Sequence, residues 1–316
     1  MEDLLKIRGL RTYFYTYKGV VRALEGVNLR IGSNEILGLV GETGCGKTVT
    51  GLSILRLIDP PGEIIGGEIS LEGEDLLKLR EKEMNERIRG KKISMIFQEP
   101  RSSLNPTYTV GSQISEAIRL HQRAGKREAM ERAVDMLRQT GMPDPGRIAR
   151  EYPHELSGGM AQRAMIAMAL SCDPNLLIAD EPTSSLDVTI EAQILALIKD
   201  LTSKFRASVL LITHDLGVVA ETCEKVAVMY AGNVVEYGDM RDIFKRHKHP
   251  YTEGLLKAVP RPKISGRLYT IEGEVPNLIT PPSGCRFHPR CPYKKPSCKE
   301  NEPELIDVGN GHFVAC

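Results

Sequence analysis

The chain has 316 residues, with 42 lysines and arginines against 41 aspartates and glutamates. The net charge of +1 gives no overall field that would draw the chain to nucleic acid or to anionic lipid. The amino terminus lacks the long apolar run of a secretory signal, and no stretch approaches the ~20 apolar residues of a membrane span. We therefore expect a globular protein that binds no nucleic acid and whose membrane role, if any, is peripheral.

Predicted strands and helices alternate along most of the chain. Strands are predicted at residues 4–8, 27–31, 36–40, 67–72, 93–97, 176–179 and 209–213. Helices are predicted at 48–57, within 111–140, at 162–170 and at 190–205. This alternation favours a parallel sheet with helices on its faces, which binds ligands at the carboxyl ends of its strands. From about residue 246, frequent prolines instead predict a small loop-built appendage without a core of its own.

A glycine-rich sequence follows the apolar strand 36–40. It matches G-x-x-x-x-G-K-[ST], in which backbone N–H groups cradle phosphate oxygens and the next helix adds the positive end of its dipole. Lys47 is expected to reach the β- and γ-phosphates, and Thr48 to ligate Mg²⁺. Because thiols near a positive dipole lose protons readily, Cys45 is expected to be open to oxidation. The expected nucleotide-binding residues are Gly41, Glu42, Thr43, Gly44, Cys45, Gly46, Lys47, Thr48 and Val49.

The apolar strand 176–179 ends in two carboxylates, Asp180 and Glu181. Asp180 is expected to hold Mg²⁺, directly or through water. A carboxylate beside the γ-phosphate can orient and deprotonate the attacking water, and we assign this role to Glu181.

Residues 156–162 read Leu-Ser-Gly-Gly-Met-Ala-Gln, which resembles the signature motif of ATP-binding-cassette ATPases. Gln98 resembles the Q-loop glutamine of that family, residues 185–187 its D-loop, and His214 its switch histidine. The resemblance implies an α/β P-loop NTPase with a parallel sheet core, an antiparallel β subdomain and a helical subdomain. The residues that it adds to the nucleotide site are Ser157, Gly158, Gly159, Gln162 and Asp187.

The resemblance also implies that two such subunits pack head to tail around ATP. The Ser157 turn opens a helix, so its N–H groups could serve the nucleotide of the other subunit. Gln98 would contact Mg²⁺ or the attacking water, and it would also lie in the loop that contacts the transmembrane partner. His214 would hydrogen-bond the γ-phosphate and stabilise its charge during transfer. For adenine, Phe14 is the first choice and Tyr13 the second, with ordinary edge-strand packing as the alternative.

The last part of the chain resembles the carboxy-terminal extension of the oligopeptide, dipeptide and nickel importer ATPases. The resemblance rests on His-Pro-Tyr-Thr at 249–252 and on the spacing of Cys285, Cys291, Cys298 and Cys316. It implies a [4Fe–4S] cluster, and these intervals are wider than those of most zinc sites. A zinc site and free thiols stay as alternatives. His288 or His312 could replace one of the thiolates as a zinc ligand. The cations expected to balance a negative cluster are Arg286, Arg290, Lys294, Lys295 and Lys299.

The sequence thus predicts an ATP-hydrolysing subunit that energises an importer of dipeptides or oligopeptides at the cytoplasmic face of the cell membrane. The alternatives are an importer of nickel or another small solute, and a cassette ATPase without a transport role. Expected partners are permease subunits, a second and different cassette ATPase and, indirectly, an extracytoplasmic peptide-binding protein. Residues 1–245 are expected to form the nucleotide-binding domain, with a helical subdomain at about 103–165, and residues 246–316 the extension with the four-cysteine metal site.

Overall fold

The computed structural model describes residues 3–184, 186–259 and 269–316. Within these ranges the strands are β1 (Asp3–Thr16), β2 (Gly19–Gly32), β3 (Ile36–Val40), β4 (Gly62–Leu71), β5 (Glu74–Asp75), β6 (Ile93–Ile96), β7 (Leu176–Asp180), β8 (Ser208–Ile212), β9 (Lys225–Tyr230), β10 (Asn233–Asp239), β11 (Ile306–Asp307) and β12 (Phe313–Val314).

The helices of the same ranges are α1 (Lys47–Ile54), α2 (Glu81–Glu83), α3 (Pro100–Ser103), α4 (Val110–Gln122), α5 (Lys126–Gln139), α6 (Pro145–Ile148), α7 (Gly158–Leu170), α8 (Val188–Phe205), α9 (Leu216–Thr222), α10 (Met240–Arg246), α11 (Pro250–Ala258) and α12 (Ser297–Glu300). In this part of the chain no helix is both long enough and apolar enough to cross a lipid bilayer.

The chain divides into two compact units. We call residues 1–78 with 212–316 the terminal unit, and residues 79–211 the middle unit. The phosphate-loop sequence and the carboxy-terminal segment, residues 246–316, therefore belong to the same unit.

The terminal unit contains an antiparallel sheet with the strand order β2-β1-β4-β5. Its first two strands are each 14 residues long, much longer than the predicted segments 4–8 and 27–31. Register shifts interrupt their pairing, and such bulges break the regular alternation of apolar and polar residues on which the sequence prediction relied. In the same unit β3 runs parallel to β9, and β9 pairs antiparallel with β10.

In the middle unit, β7 lies between β6 and β8 and is buried along its whole length. β6 and β7 are parallel, as the alternation of strands and helices predicted. Helices α4, α5 and α7 contact one another beside them. Side chains fix the helix starts: the Thr109 hydroxyl accepts the N–H of Ser112 at α4, and the Ser157 hydroxyl that of Met160 at α7.

The carboxy-terminal segment contributes to the core of the terminal unit. Tyr251 and Phe287 are buried against Tyr230, with ring centroids 4.6 Å apart for Tyr230–Tyr251 and 5.1 Å apart for Tyr230–Phe287. Strand β12 pairs antiparallel with β10. This corrects the expectation of a coreless appendage, because large aromatic side chains bury enough apolar surface to anchor the segment.

His249 begins helix α11 and is buried, and its Nδ1 accepts the N–H of Tyr251 at 3.1 Å. Burial lowers the pKa of His249 to about 4. Between this value and the ordinary pKa of ~6.5, the unfolded chain binds a proton that the folded chain excludes, so stability is lost as the pH falls.

We predict that the titration of His249 lowers the free energy of unfolding by about 3 kcal/mol as the pH falls from 6.5 to 4. His249→Asn keeps a capping side chain but cannot titrate there, so its stability should depend less on pH. Urea denaturation of both proteins at several pH values measures the difference. Equal pH dependence in the two proteins would contradict the prediction.

Candidate nucleotide-binding site

The phosphate loop connects β3 to α1 and depends on two glycines. Gly41 has φ 156° and Gly46, at the start of α1, has φ 110°. A Cβ atom at Gly41 would lie 2.1 Å from the carbonyl oxygen of Met229, so only glycine fits there. The Lys47 Nζ donates to the carbonyl of Gly41 at 2.8 Å and to that of Glu42 at 3.2 Å. The loop thus turns around the lysine ammonium.

The loop exposes Thr43, Gly44 and Thr48 and partly exposes Val49, whereas the thiol of Cys45 is buried. Burial raises the pKa of Cys45, and the nearby Lys47 offsets this only in part. The expectation of an oxidation-prone thiol is therefore wrong, because desolvation disfavours the reactive thiolate more than the positive charge favours it.

The aromatic residues of the β1–β2 hairpin have different surroundings. The Tyr13 hydroxyl donates to the carboxylate of Glu25 at 2.8 Å, and the Phe14 ring packs against Gly62. Tyr17, in the turn between the strands, is 94% exposed.

His214 belongs to the terminal unit and follows β8. The N–H of the preceding Thr213 donates to the carbonyl of Leu39 in β3 at 3.2 Å, so His214 emerges beside the strand that leads into the phosphate loop. Its ring is exposed, and the next residue, Asp215, caps helix α9.

In the middle unit, the predicted hydrolytic residues of two strand ends meet. The pairing of Ile96 with Ala179 places the ends of β6 and β7 side by side. Beyond them, the Gln98 Nε2 donates to the Glu181 Oε2 at 2.9 Å. Asp180, the last residue of β7, is buried. Side chains from two strand ends therefore lie together in this unit, although 83 residues of sequence separate them.

The signature residues begin helix α7 in the middle unit. Ser157 is exposed and caps the helix, and Gly158 and Gly159 follow in its first turn. Gln162 is buried, so its amide faces the interior. Asp187 is exposed and caps α8 by accepting the N–H of Ile190 at 3.0 Å. Ser185, the first residue of the predicted D-loop, lies outside the described residues.

The four cysteines of the carboxy-terminal segment are not arranged as metal ligands. In the parts of the chain that the structure describes, no three His, Cys, Asp or Glu side chains are placed to hold a metal ion. The N–H of Cys285 donates to the carbonyl of Cys298 at 2.9 Å, so these two cysteines are neighbours. Burial first, and then the charges of Cys298 and Cys316, raise the pKa of Cys285, while neighbouring backbone N–H groups lower it. The donor atoms suit the predicted cluster by type, but their positions do not support it.

Several groups assigned to that centre have other partners. Arg286 pairs with Glu25 at 3.1 Å, and Arg290 pairs with Glu42 at 2.7 Å. The prediction that these two arginines balance a cluster is therefore wrong. The substitute ligands are also engaged, because the His312 Nε2 lies 2.7 Å from Glu236 and the His288 Nδ1 lies 2.9 Å from the carbonyl of Cys285.

The phosphate loop and the carboxylate-ended strand define a nucleotide-binding protein of the P-loop class. Residues 24–184 match the ABC transporter family and residues 235–298 match the oligopeptide/dipeptide transporter C-terminal region. The chain belongs to the ABC transporter family, as an ATPase subunit.

Curated relatives match the whole chain. It is 53% identical to the probable peptide ABC transporter ATP-binding protein y4tR of Sinorhizobium fredii, covering 99% of this chain and 94% of the relative. It is 49% identical to the oligopeptide transport ATP-binding protein AppD of Bacillus subtilis, covering 100% and 97%. The solved dimeric structure of the bacterial ABC transporter cassette MJ0796 matches with a TM-score of 0.67 and 28% identity, covering 75% of this chain and 99% of that one.

We predict that Gly41→Ala lowers ATP affinity by about tenfold or more, because the added methyl group must displace the loop or Met229. Gly66→Ala, in strand β4 of the same unit, is the matched control, since a Cβ at Gly66 meets no atom within 4 Å and Gly66 does not have a positive φ. Calorimetric titration with MgATP measures both. If the two variants bind ATP equally well, the close contact at Gly41 does not fix the loop.

Proposed function

We propose that this chain binds and hydrolyses ATP to energise a membrane importer of dipeptides or oligopeptides. The proposal is carried by one combination: a phosphate loop and a hydrolytic Gln98–Glu181 pair occur in a chain whose residues 235–298 match the carboxy-terminal region of peptide transporters. Nickel or another small solute is the alternative cargo. The relatives named for peptide or oligopeptide transport favour peptides.

Hydrolysis would use the residues at the end of β7. The amide of Gln98 orients the Glu181 carboxylate, which takes the proton from the attacking water. Lys47 and His214 stabilise the charge on the γ-phosphate. Oxygen donors of the kind that Mg²⁺ prefers are the hydroxyl of Thr48, the carboxylate of Asp180 and the amide oxygen of Gln98, and we propose them as its ligands. Bound Mg²⁺ neutralises charge on the triphosphate.

The remaining nucleotide contacts are proposed from exposure and sequence position. The adenine ring would stack on the aromatic hairpin, with Phe14 and Tyr13 as the predicted platforms and the exposed Tyr17 as a third. Ser157 and Asp187 are exposed, which suits contact with a second subunit. A related cassette has been solved as a dimer bound to ADP and Pi.

We further propose that the working complex contains two permease subunits and a second, different cassette ATPase. An extracytoplasmic peptide-binding protein would deliver the cargo to the permeases. This chain would then lie at the cytoplasmic face of the membrane as a peripheral subunit.

Transport by the complete complex in vesicles tests the proposal. We predict ATP-dependent uptake of a labelled dipeptide, and its loss in Glu181→Gln, which keeps the shape of the side chain but removes the base. The variant should still bind ATP, with hydrolysis reduced by about a hundredfold or more. Glu191→Gln, in helix α8, serves as the control. Nickel uptake without peptide uptake would contradict the proposal that the cargo is a peptide. Unchanged hydrolysis in Glu181→Gln would contradict the assignment of Glu181 as the general base.

For the carboxy-terminal segment we propose a metal centre on Cys285, Cys291, Cys298 and Cys316, with a [4Fe–4S] cluster preferred over zinc. The support is the occurrence of four free thiols in this segment, where the N–H of Cys285 donates to the carbonyl of Cys298 at 2.9 Å. Since deprotonated thiolates repel one another, a metal would be needed to draw them together.

After anaerobic purification we predict a brown protein that absorbs near ~400 nm and contains about four irons per chain. Cys298→Ser should lose colour and iron. Cys172→Ser, which changes a buried thiol of the middle unit, should keep both. Stoichiometric zinc without colour would select the alternative, and a metal-free protein would exclude the centre.

A further inference from the structure

We propose that the carboxy-terminal segment holds the phosphate loop in its nucleotide-binding shape through two residues, Tyr251 and Arg290, that both act on Glu42. They are positioning residues, because they contact the loop and not the reacting atoms. The inference rests on the proposed ATPase function and adds to it a role for the segment that follows the nucleotide-binding domain.

Arg290 holds the side chain of Glu42. Its Nη1 donates to Oε2 of Glu42 at 2.7 Å and its Nη2 to Oε1 at 3.1 Å, a bidentate pair. The arginine side chain is only 5% exposed. The same guanidinium donates to the carbonyls of Glu272 and Ile271 at 3.1 and 3.3 Å. These bonds fix the arginine within its own segment, so it presents a rigid fork to the loop.

Tyr251 holds the backbone of Glu42. Its hydroxyl accepts the N–H of Glu42 at 2.9 Å. The ring is fully buried between Tyr230 and Phe287, with centroids 4.6 and 5.4 Å away. Because the ring cannot shift without breaking this packing, the hydroxyl is a fixed point for the loop.

The backbone carbonyl of Glu42 is hydrogen-bonded within the loop itself. It accepts the N–H of Cys45 at 3.2 Å and the ammonium of Lys47 at 3.2 Å. The N–H and carboxylate of Glu42 are thus held by the carboxy-terminal segment, and its carbonyl by the loop and its lysine. A shift of the segment would be passed directly to the residue that follows Gly41.

Two physical effects follow for ATP. A loop ordered before binding loses less conformational entropy when the phosphates arrive. In addition, the guanidinium neutralises the Glu42 carboxylate, which would otherwise repel the triphosphate at short range. Both effects act on nucleotide binding, so loss of the contacts should raise the Kd and KM for ATP more than it lowers kcat.

The experiment measures MgATP binding by calorimetry and steady-state hydrolysis on the full chain, with thermal unfolding as the folding control. Arg290→Gln and Tyr251→Phe should each raise the Kd for ATP by about tenfold and change kcat by less than about twofold. Arg290→Lys should fall between Arg290→Gln and the parent, because an ammonium cannot form the bidentate pair.

Arg286→Gln is the matched control. Arg286 lies in the same segment, its side chain is 6% exposed, and it pairs with Glu25 instead of the phosphate loop. A purely structural role for the arginines predicts equal loss of ATP affinity in Arg286→Gln and Arg290→Gln. Our proposal predicts that Arg286→Gln binds ATP within about twofold of the parent.

A double-mutant cycle tests whether Arg290 acts through Glu42. In the Glu42→Gln background, Arg290→Gln should weaken ATP binding by less than about twofold. Additive effects of the two changes, or parental ATP affinity in folded Arg290→Gln and Tyr251→Phe, overturn the inference. Should Arg290→Gln fail to fold, Tyr251→Phe and Arg290→Lys decide. A parent chain that binds no ATP would instead contradict the proposed function.

Discussion

The phosphate loop must aim several backbone N–H groups at one anion, and this requires a backbone path that ordinary residues cannot follow. Gly41 meets the requirement by packing its bare Cα side against the carbonyl of Met229, and Gly46 by taking a positive φ at the start of α1. Lys47 fills the inside of the turn and binds its carbonyls. Since the loop packs directly on Met229 of β9, its conformation depends on the packing of the terminal unit.

The carboxy-terminal segment stabilises the same unit by burying aromatic rings and pairing buried charges. A buried guanidinium needs a partner, because removing it from water is costly. Arg286 and Arg290 find theirs in Glu25 and Glu42. This use of the two arginines leaves them unavailable to balance a cluster, and it gives the segment a direct contact with the phosphate loop.

The middle unit assembles its chemistry by parallel strand pairing and by helix caps. Neighbouring parallel strands end at the same edge, which is why Gln98 reaches Glu181 across 83 residues of sequence. Ser157 and Asp187 both cap helices and stay exposed. Both helix starts therefore lie at the surface of the middle unit.

The sequence by itself determined the phosphate loop, the Asp180–Glu181 strand end and the family, because each depends on short-range spacing and on where glycine alone is tolerated. It did not determine the burial of Cys45, the extent of the β1–β2 hairpin or the partners of Arg290. Glu42 meets Tyr251 and Arg290 over separations of 209 and 248 residues. Only the tertiary structure decided these contacts, since burial and charge pairing depend on which distant segments pack together.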